Sequence, residues 1–180
     1  MIGADSRCTR RNPVRYVWLG GNGIPSEVEG SDLARAIADR FAVVFANEEL
    51  RRGLLPSRHF DKYEKRTSAF IEQKINRMLI GRLKPGTEVV PVAKAYGSGI
   101  RMFEFRWTRD TRLLRGNESE QIRHYDSEPQ EHEGCVFGLH MAVKDLRRGD
   151  DDIISKEPNQ DIDHALDAGL AYLSPRWPIA

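Results

Sequence analysis

The sequence predicts an α+β fold, a small twisted antiparallel sheet with helices packed on one face, and three observations lead there. Between residues 59 and 83, Phe60, Tyr63, Phe70, Ile71, Ile75, Met78, Leu79 and Leu83 recur at intervals of three or four, the period of an amphipathic helix. Beyond Pro85-Gly86, which ends that helix, the runs Val89 to Ala95, Ile100 to Trp107 and Cys135 to Val143 are rich in aromatic and β-branched residues, with a weaker run at Gln121 to Tyr125. A last helix is expected from about Gln160 to Tyr172, with Ile162, Leu166 and Leu170 at a spacing of four, before Pro175. Helices first, then hairpin-connected strands, then a helix is the order of a two-layer α+β domain.

The N-terminal part reads differently. Pro13, the Gly20-Gly21-Asn22-Gly23 cluster, Pro25 and Gly30 punctuate the first thirty residues, so Val14 to Leu19 reads as a stray strand in an extension. Ser31-Asp32 can cap a helix that carries Leu33, Ile37 and Phe41 on one face and ends near Phe41. Ala42 to Ala46 then reads as a short strand, and Asn47-Glu48-Glu49 as the cap of a short helix. The expected division is an extension over 1–40 and a domain over 41–180, with a long polar insertion at about 108–134 that is mostly loop or a long hairpin.

Composition narrows the function classes. With 180 residues and 39% hydrophobic content, one core is expected. No run of about 18 apolar residues exists, and no apolar segment follows Arg7, Arg10 and Arg11, so a cytoplasmic protein without a membrane span or leader is expected. Cys8 and Cys135 suit a reducing compartment, and the five histidines show no metal-ligand spacing. The glycine cluster at 20–23 lacks the lysine of a phosphate-binding loop, so no cofactor is expected. The net charge of +1 conceals a segregation. Residues 51–115 carry 16 basic and 6 acidic side chains, and residues 116–180 carry 6 and 14. A basic middle can grip a polyanion, or the two blocks can neutralise one another across the folded surface.

Three blocks carry a resemblance. Phe103-Glu104-Phe105-Arg106-Trp107 looks like the central strand of the RelE/HigB toxin superfamily, an aromatic residue, Glu, Leu, Arg and another aromatic residue. Upstream, Val92-Ala93-Lys94-Ala95-Tyr96-Gly97 resembles the family's segment ending in a basic residue before a glycine turn. Downstream, Leu139-His140-Met141-Ala142-Val143-Lys144 resembles its last strand, written Leu-His-x-Phe-x-Lys-Lys. Together they cover roughly residues 42–173. The chain departs from the pattern where Lys144-Asp145 replaces a lysine pair, where Asp150-Asp151-Asp152 follows, and in its first 40 residues.

The resemblance implies a ribosome-dependent, metal-independent mRNA endoribonuclease that inhibits translation, with mRNA on the ribosome as substrate and a cognate antitoxin as protein partner. Such cleavage needs a base for the 2′-OH, cations around the phosphorane and an acid for the 5′-oxygen. By the resemblance, Arg106 and Arg123 are the phosphate clamps, Lys144 the lysine closing the last strand, and His140 an acid or base, roles open to an imidazole. His140 is also read as a hydrogen-bonded strand residue, and Glu104 as the partner of Arg106. His124 and Tyr125 are alternative proton donors. Lys74, Arg77, Arg82, Lys94 and Arg101 are candidate RNA contacts, or an ordinary solvated face. Strand alternation separates Arg101 from Arg106. The competing readings are a catalytically silent RNA- or protein-binding member of the fold, and a phage or accessory interaction protein.

Overall fold

The computed structural model describes residues 5–24, 29–116, 119–144 and 151–173. Expectations at Asn117-Glu118, Asp145, Asp150 and Pro175 lie outside these, as do those on the side chains of Asp151 and Asp152. The described elements are β1 (Arg15–Trp18), α1 (Gly30–Arg51), α2 (Phe60–Leu79), β2 (Val89–Pro91), β3 (Met102–Asp110), β4 (Ser119–Ser127), β5 (Cys135–Lys144) and α3 (Asp151–Leu173). They form an α+β protein around one open five-stranded sheet in the order β1-β5-β4-β3-β2. No helix among the described residues is long and apolar enough to cross a membrane.

The sheet is mixed rather than antiparallel. β1 pairs in parallel with β5, Arg15 opposite Cys135 through Trp18 opposite Gly138, and the remaining pairs are antiparallel. The stray strand of a presumed extension is thus an edge strand of the sheet, and Tyr16 and Trp18 are buried in its core. The boundary at residue 40 dissolves for the same reason. α1 continues unbroken through Ala42 to Ala46 because Ala34, Ala38, Ala42 and Ala46 form an i, i+4 row, all fully buried, that lets α1 lie close against α2. Leu33, Ile37, Phe41 and Phe45 fill the adjoining rows. The helix starts at Gly30, so Asp32 sits in its first turn, where a carboxylate suits the positive end of the dipole.

α2 forms close to the expected place and buries Tyr63, Thr67, Ile71, Ile75 and Met78. The run Val89 to Ala95 yields only the three-residue β2, followed by a 3₁₀ segment over Ala93–Ser98. The expected loop at 108–134 holds the end of β3 and the whole of β4. β3 extends to Asp110, and β4 pairs with it along its whole length.

Helices occupy both faces of the sheet, not one. The α1/α2 hairpin covers Tyr16, Trp18, Phe103, Phe105, Trp107, Ile122, Val136 and Met141. On the opposite face α3 packs Ile162, Ala165 and Leu166 against a second cluster that includes Met102, Tyr125, Phe137 and Leu139. The mid-helix Gly169 has a structural reason: a Cβ there would lie 3.0 Å from Ile100 Cδ1 and 3.4 Å from Leu139 Cδ1. Its missing side chain lets α3 approach the sheet, at a propensity cost of about 1 kcal/mol relative to alanine.

Candidate functional site

Residues directly opposed in an antiparallel pair share a face, and this brings the expected clamps together. Arg106 of β3 stands opposite Arg123 of β4, and Glu104 stands opposite Tyr125, all on the α3 side of the sheet. Glu104 serves both arginines. Its Oε2 accepts from Arg106 Nε at 3.0 Å and from an Arg106 terminal nitrogen at 2.7 Å. Its Oε1 lies 3.1 Å from Arg123 Nε, an ion pair without the alignment of a hydrogen bond. Two guanidinium groups against one carboxylate leave one excess positive charge on this part of the sheet. Arg106 keeps 42% of its side chain exposed, whereas Arg123 keeps 8%.

His140 reaches the same face through an irregularity. Tyr125 pairs with His140 but Asp126 pairs with Gly138, so Leu139 is an extra residue in β5. Regular alternation would put His140 with Val136 and Gly138, on the α1/α2 side. The bulge instead turns it over Tyr125, with ring centroids 6.2 Å apart and planes 22° from parallel. Its Nε2 lies 3.4 Å from Asp161 Oδ1 of α3, and its ring meets that of His164 edge-on at 5.6 Å. Burial first, and the Glu104 charge second, push the Tyr125 hydroxyl up to about 12, with Arg123 offsetting part of the rise. Tyr125 therefore stays a proton-bearing group at neutral pH.

A cavity of about 680 Å³ opens beside this cluster, between α1, the C-terminal half of β5 and α3. β1 ends opposite Gly138, and among the described residues no strand pairs with the rest of β5 on that side. Arg123, His140 and Lys144 line the cavity together with Asp161 and His164. Arg106 lies one strand further in and does not reach it. From α1 the cavity takes Arg40, Arg51 and Arg52, which come from a helix that sequence reading had assigned partly to an extension.

The other expected RNA contacts do not form one surface. Lys74 and Arg77 both bind Glu88, Lys74 at 2.7 Å and Arg77 at 3.3 and 3.2 Å. Burial alone would raise the Glu88 carboxyl, but hydrogen bonds from Lys74 and the Lys84 backbone, with the Lys74 and Arg77 charges, hold it below the usual range. Arg82 shares a separate cavity with Arg11, Arg77 and Lys84. Lys94 is paired with Asp163 of α3 at 2.5 Å. Arg101 lies over the Phe103 ring and lines a third cavity with Tyr96 and His132.

His124, adjacent in sequence to Tyr125, faces the opposite way. It is fully buried among Tyr16, Trp18, Phe105 and Trp107, and burial, then the His140 charge, lower it to about 3. It is a core histidine rather than a proton donor to a ligand. Asp161 and His164 were missed in the sequence, although Asp161-Ile162-Asp163-His164 places both on one helix face at i, i+3. Among the described residues no group of three or more His, Cys, Asp or Glu side chains is arranged to hold a metal ion. Comparison with protein families, with curated proteins and with solved structures finds no match to this chain.

Proposed function

We propose that this chain is a RelE/HigB-like toxin, an mRNA endoribonuclease that cleaves without a metal, acts on ribosome-bound message and is neutralised by a cognate antitoxin. The observation that carries the reading is the pair of opposed arginines, Arg106 and Arg123, held by one carboxylate beside His140 and Lys144 on one sheet face. Guanidinium groups match phosphate oxygens with paired donors and stay charged, so two of them on neighbouring strands suit an anionic phosphorane. The donors that Glu104 does not engage remain available for that role. The antitoxin would be a protein whose acidic segment covers this cationic face.

Glu104 also favours a second reading. A carboxylate already bound by both arginines competes with phosphate, as expected of a catalytically silent member that binds RNA or protein. Inducible expression in bacteria separates the two, with growth, translation and primer extension on one abundant mRNA followed beside an Arg106→Ala, Arg123→Lys variant. Growth arrest with new mRNA ends from the wild type alone is the expected result. Normal growth with intact mRNA at confirmed soluble expression overturns the nuclease reading, and RNA retention without cleavage then selects the silent one.

A further inference from the structure

We infer that His164 of α3 is the second proton-transfer residue of the cavity, acting beside His140 on a bound RNA phosphodiester. The inference rests on the RNA-cleavage reading and deepens it. A metal-free cleavage must move two protons, and one imidazole cannot be base and acid at once within a single displacement. The geometry supplies a second imidazole. The His140 and His164 rings are 5.6 Å apart, and both line the cavity that Arg123 and Lys144 also enter.

Their surroundings divide the roles. Asp161 Oδ1, 3.4 Å from His140 Nε2, orients that nitrogen as the N–H and leaves Nδ1 with its lone pair. His140 is therefore the base. His164 is exposed on its helix, while Ile162 and Ala165 beside it pack on the sheet and fix its height above His140. It is the acid. In the step itself the substrate 2′-oxygen attacks phosphorus as its proton passes to His140. The bond from phosphorus to the 5′-oxygen breaks, and that oxygen takes the His164 proton. The products are a 2′,3′-cyclic phosphate and a 5′-hydroxyl, with no redox change and no further reactant. Arg123 meets the phosphorane charge.

The charged and titratable groups facing the two imidazoles are Arg123 and the neutral Tyr125 from β4, Lys144 from β5 and Asp161 from α3. Across the cavity, α1 presents Arg40, Arg51 and Arg52 with Glu48 and Glu49. Cations therefore outnumber carboxylates around the pair, which suits a substrate that brings its own negative charge.

The test uses the full chain on an RNA carrying one scissile linkage, both naked and ribosome-bound. Wild type, His164→Asn and His140→Asn are compared for kcat/KM against pH, for product ends, and on a substrate whose bridging 5′-oxygen is replaced by sulfur. A sulfur leaving group departs without an acid. His164→Asn is expected to lose about 10²- to 10⁴-fold on the oxygen substrate, to lose the alkaline limb of the bell-shaped profile, and to recover on the sulfur substrate. His140→Asn is expected to lose the acidic limb and to gain nothing from sulfur. Circular dichroism and RNA retention on both variants separate these effects from misfolding. If wild type cleaves and His164→Asn stays within threefold with its bell intact, or sulfur fails to rescue it, the assignment of His164 is overturned while the nuclease reading stands. If wild type cleaves neither RNA form, both fall together.

Discussion

Replacing Asp126 by asparagine removes a buried carboxyl that folding shifts towards its protonated form. Asp126 and His124 lie two residues apart on β4, both fully buried on the α1/α2 side, with His124 Nε2 3.4 Å from Asp126 Oδ1. The Tyr16 hydroxyl lies 2.8 Å from the same nitrogen. Burial first, and the Glu128 charge second, push the Asp126 carboxyl well above the usual carboxylate range, while His124 is lowered to about 3. Folded, burial favours the arrangement in which the carboxyl keeps its proton and the imidazole stays neutral. The unfolded chain, titrating at about 3.9 and 6.5, holds one proton between those values, none above them and two below. This pair's contribution therefore declines as pH rises past the unfolded imidazole value while the folded carboxyl still holds its proton. Each unit of pH over which the folded carboxyl keeps a proton that the unfolded chain has lost costs about 1.4 kcal/mol, against a typical stability of about 5–15 kcal/mol.

In Asp126→Asn the folded side binds no proton here, so the variant gains on the wild type as pH rises. The difference widens by about 1.4 kcal/mol for each unit of pH over which the folded carboxyl keeps its proton. Urea unfolding at pH 5, 6.5 and 8 measures it, followed by the fluorescence of Trp18 and Trp107, whose rings lie 5.9 and 5.2 Å from that of His124. Staying at or below pH 8 keeps the Cys8 thiol, raised by burial, out of the comparison. A difference between variant and wild type that is the same at pH 5 and pH 8 refutes the reasoning.

Three further outcomes are expected. Arg109→Met strands the Glu120 carboxylate, which is 1% exposed and otherwise held by the Tyr63 hydroxyl at 3.0 and 3.1 Å, so a loss of about 3–5 kcal/mol is expected in urea unfolding. A cost below about 1 kcal/mol would show that the guanidinium does not hold Glu120. Gly138→Ala drives a Cβ into the Tyr16 hydroxyl and the Trp18 ring, rigid groups of the parallel edge strand, so a lowered melting temperature from about 1–3 kcal/mol of overpacking is expected. An unchanged melting temperature would place β1 elsewhere. Glu104→Gln frees two guanidinium groups, so RNA retention should strengthen and the slope of log affinity against log salt should steepen by about one. Weakened retention by a folded variant would make Glu104 an organiser of the clamp rather than a competitor.

Much of the fold was legible because local periodicity wrote it. α2, β3 and β5 fall close to their expected spans, since each carries an uninterrupted pattern of buried residues. α1 was cut short because Val43, Val44 and Phe45 mimic a strand, whereas the alanine row that keeps the segment helical acts only through α2. β1 was set aside because four residues among glycines carry no signal of their own until β5 pairs with them. The polar stretch before Cys135 read as mostly loop or a long hairpin with only a weak strand at Gln121 to Tyr125, because Glu120, His124 and Asp126 are buried in β4, where tertiary partners and burial replace the apolar pattern that strand reading depends on.

By itself the sequence determined the α+β order of elements, the segregation of charge, and the pairing of Glu104 with Arg106, because two residues on one strand face are neighbours wherever the strand lies. The tertiary structure alone decided which side of the sheet His140 occupies. Its face depends on one extra residue, Leu139, in the register between β4 and β5, and register is a property of two strands rather than one. The same holds for α3. Its helical period showed an apolar face, but only docking across Gly169 brings Asp161 and His164 over His140.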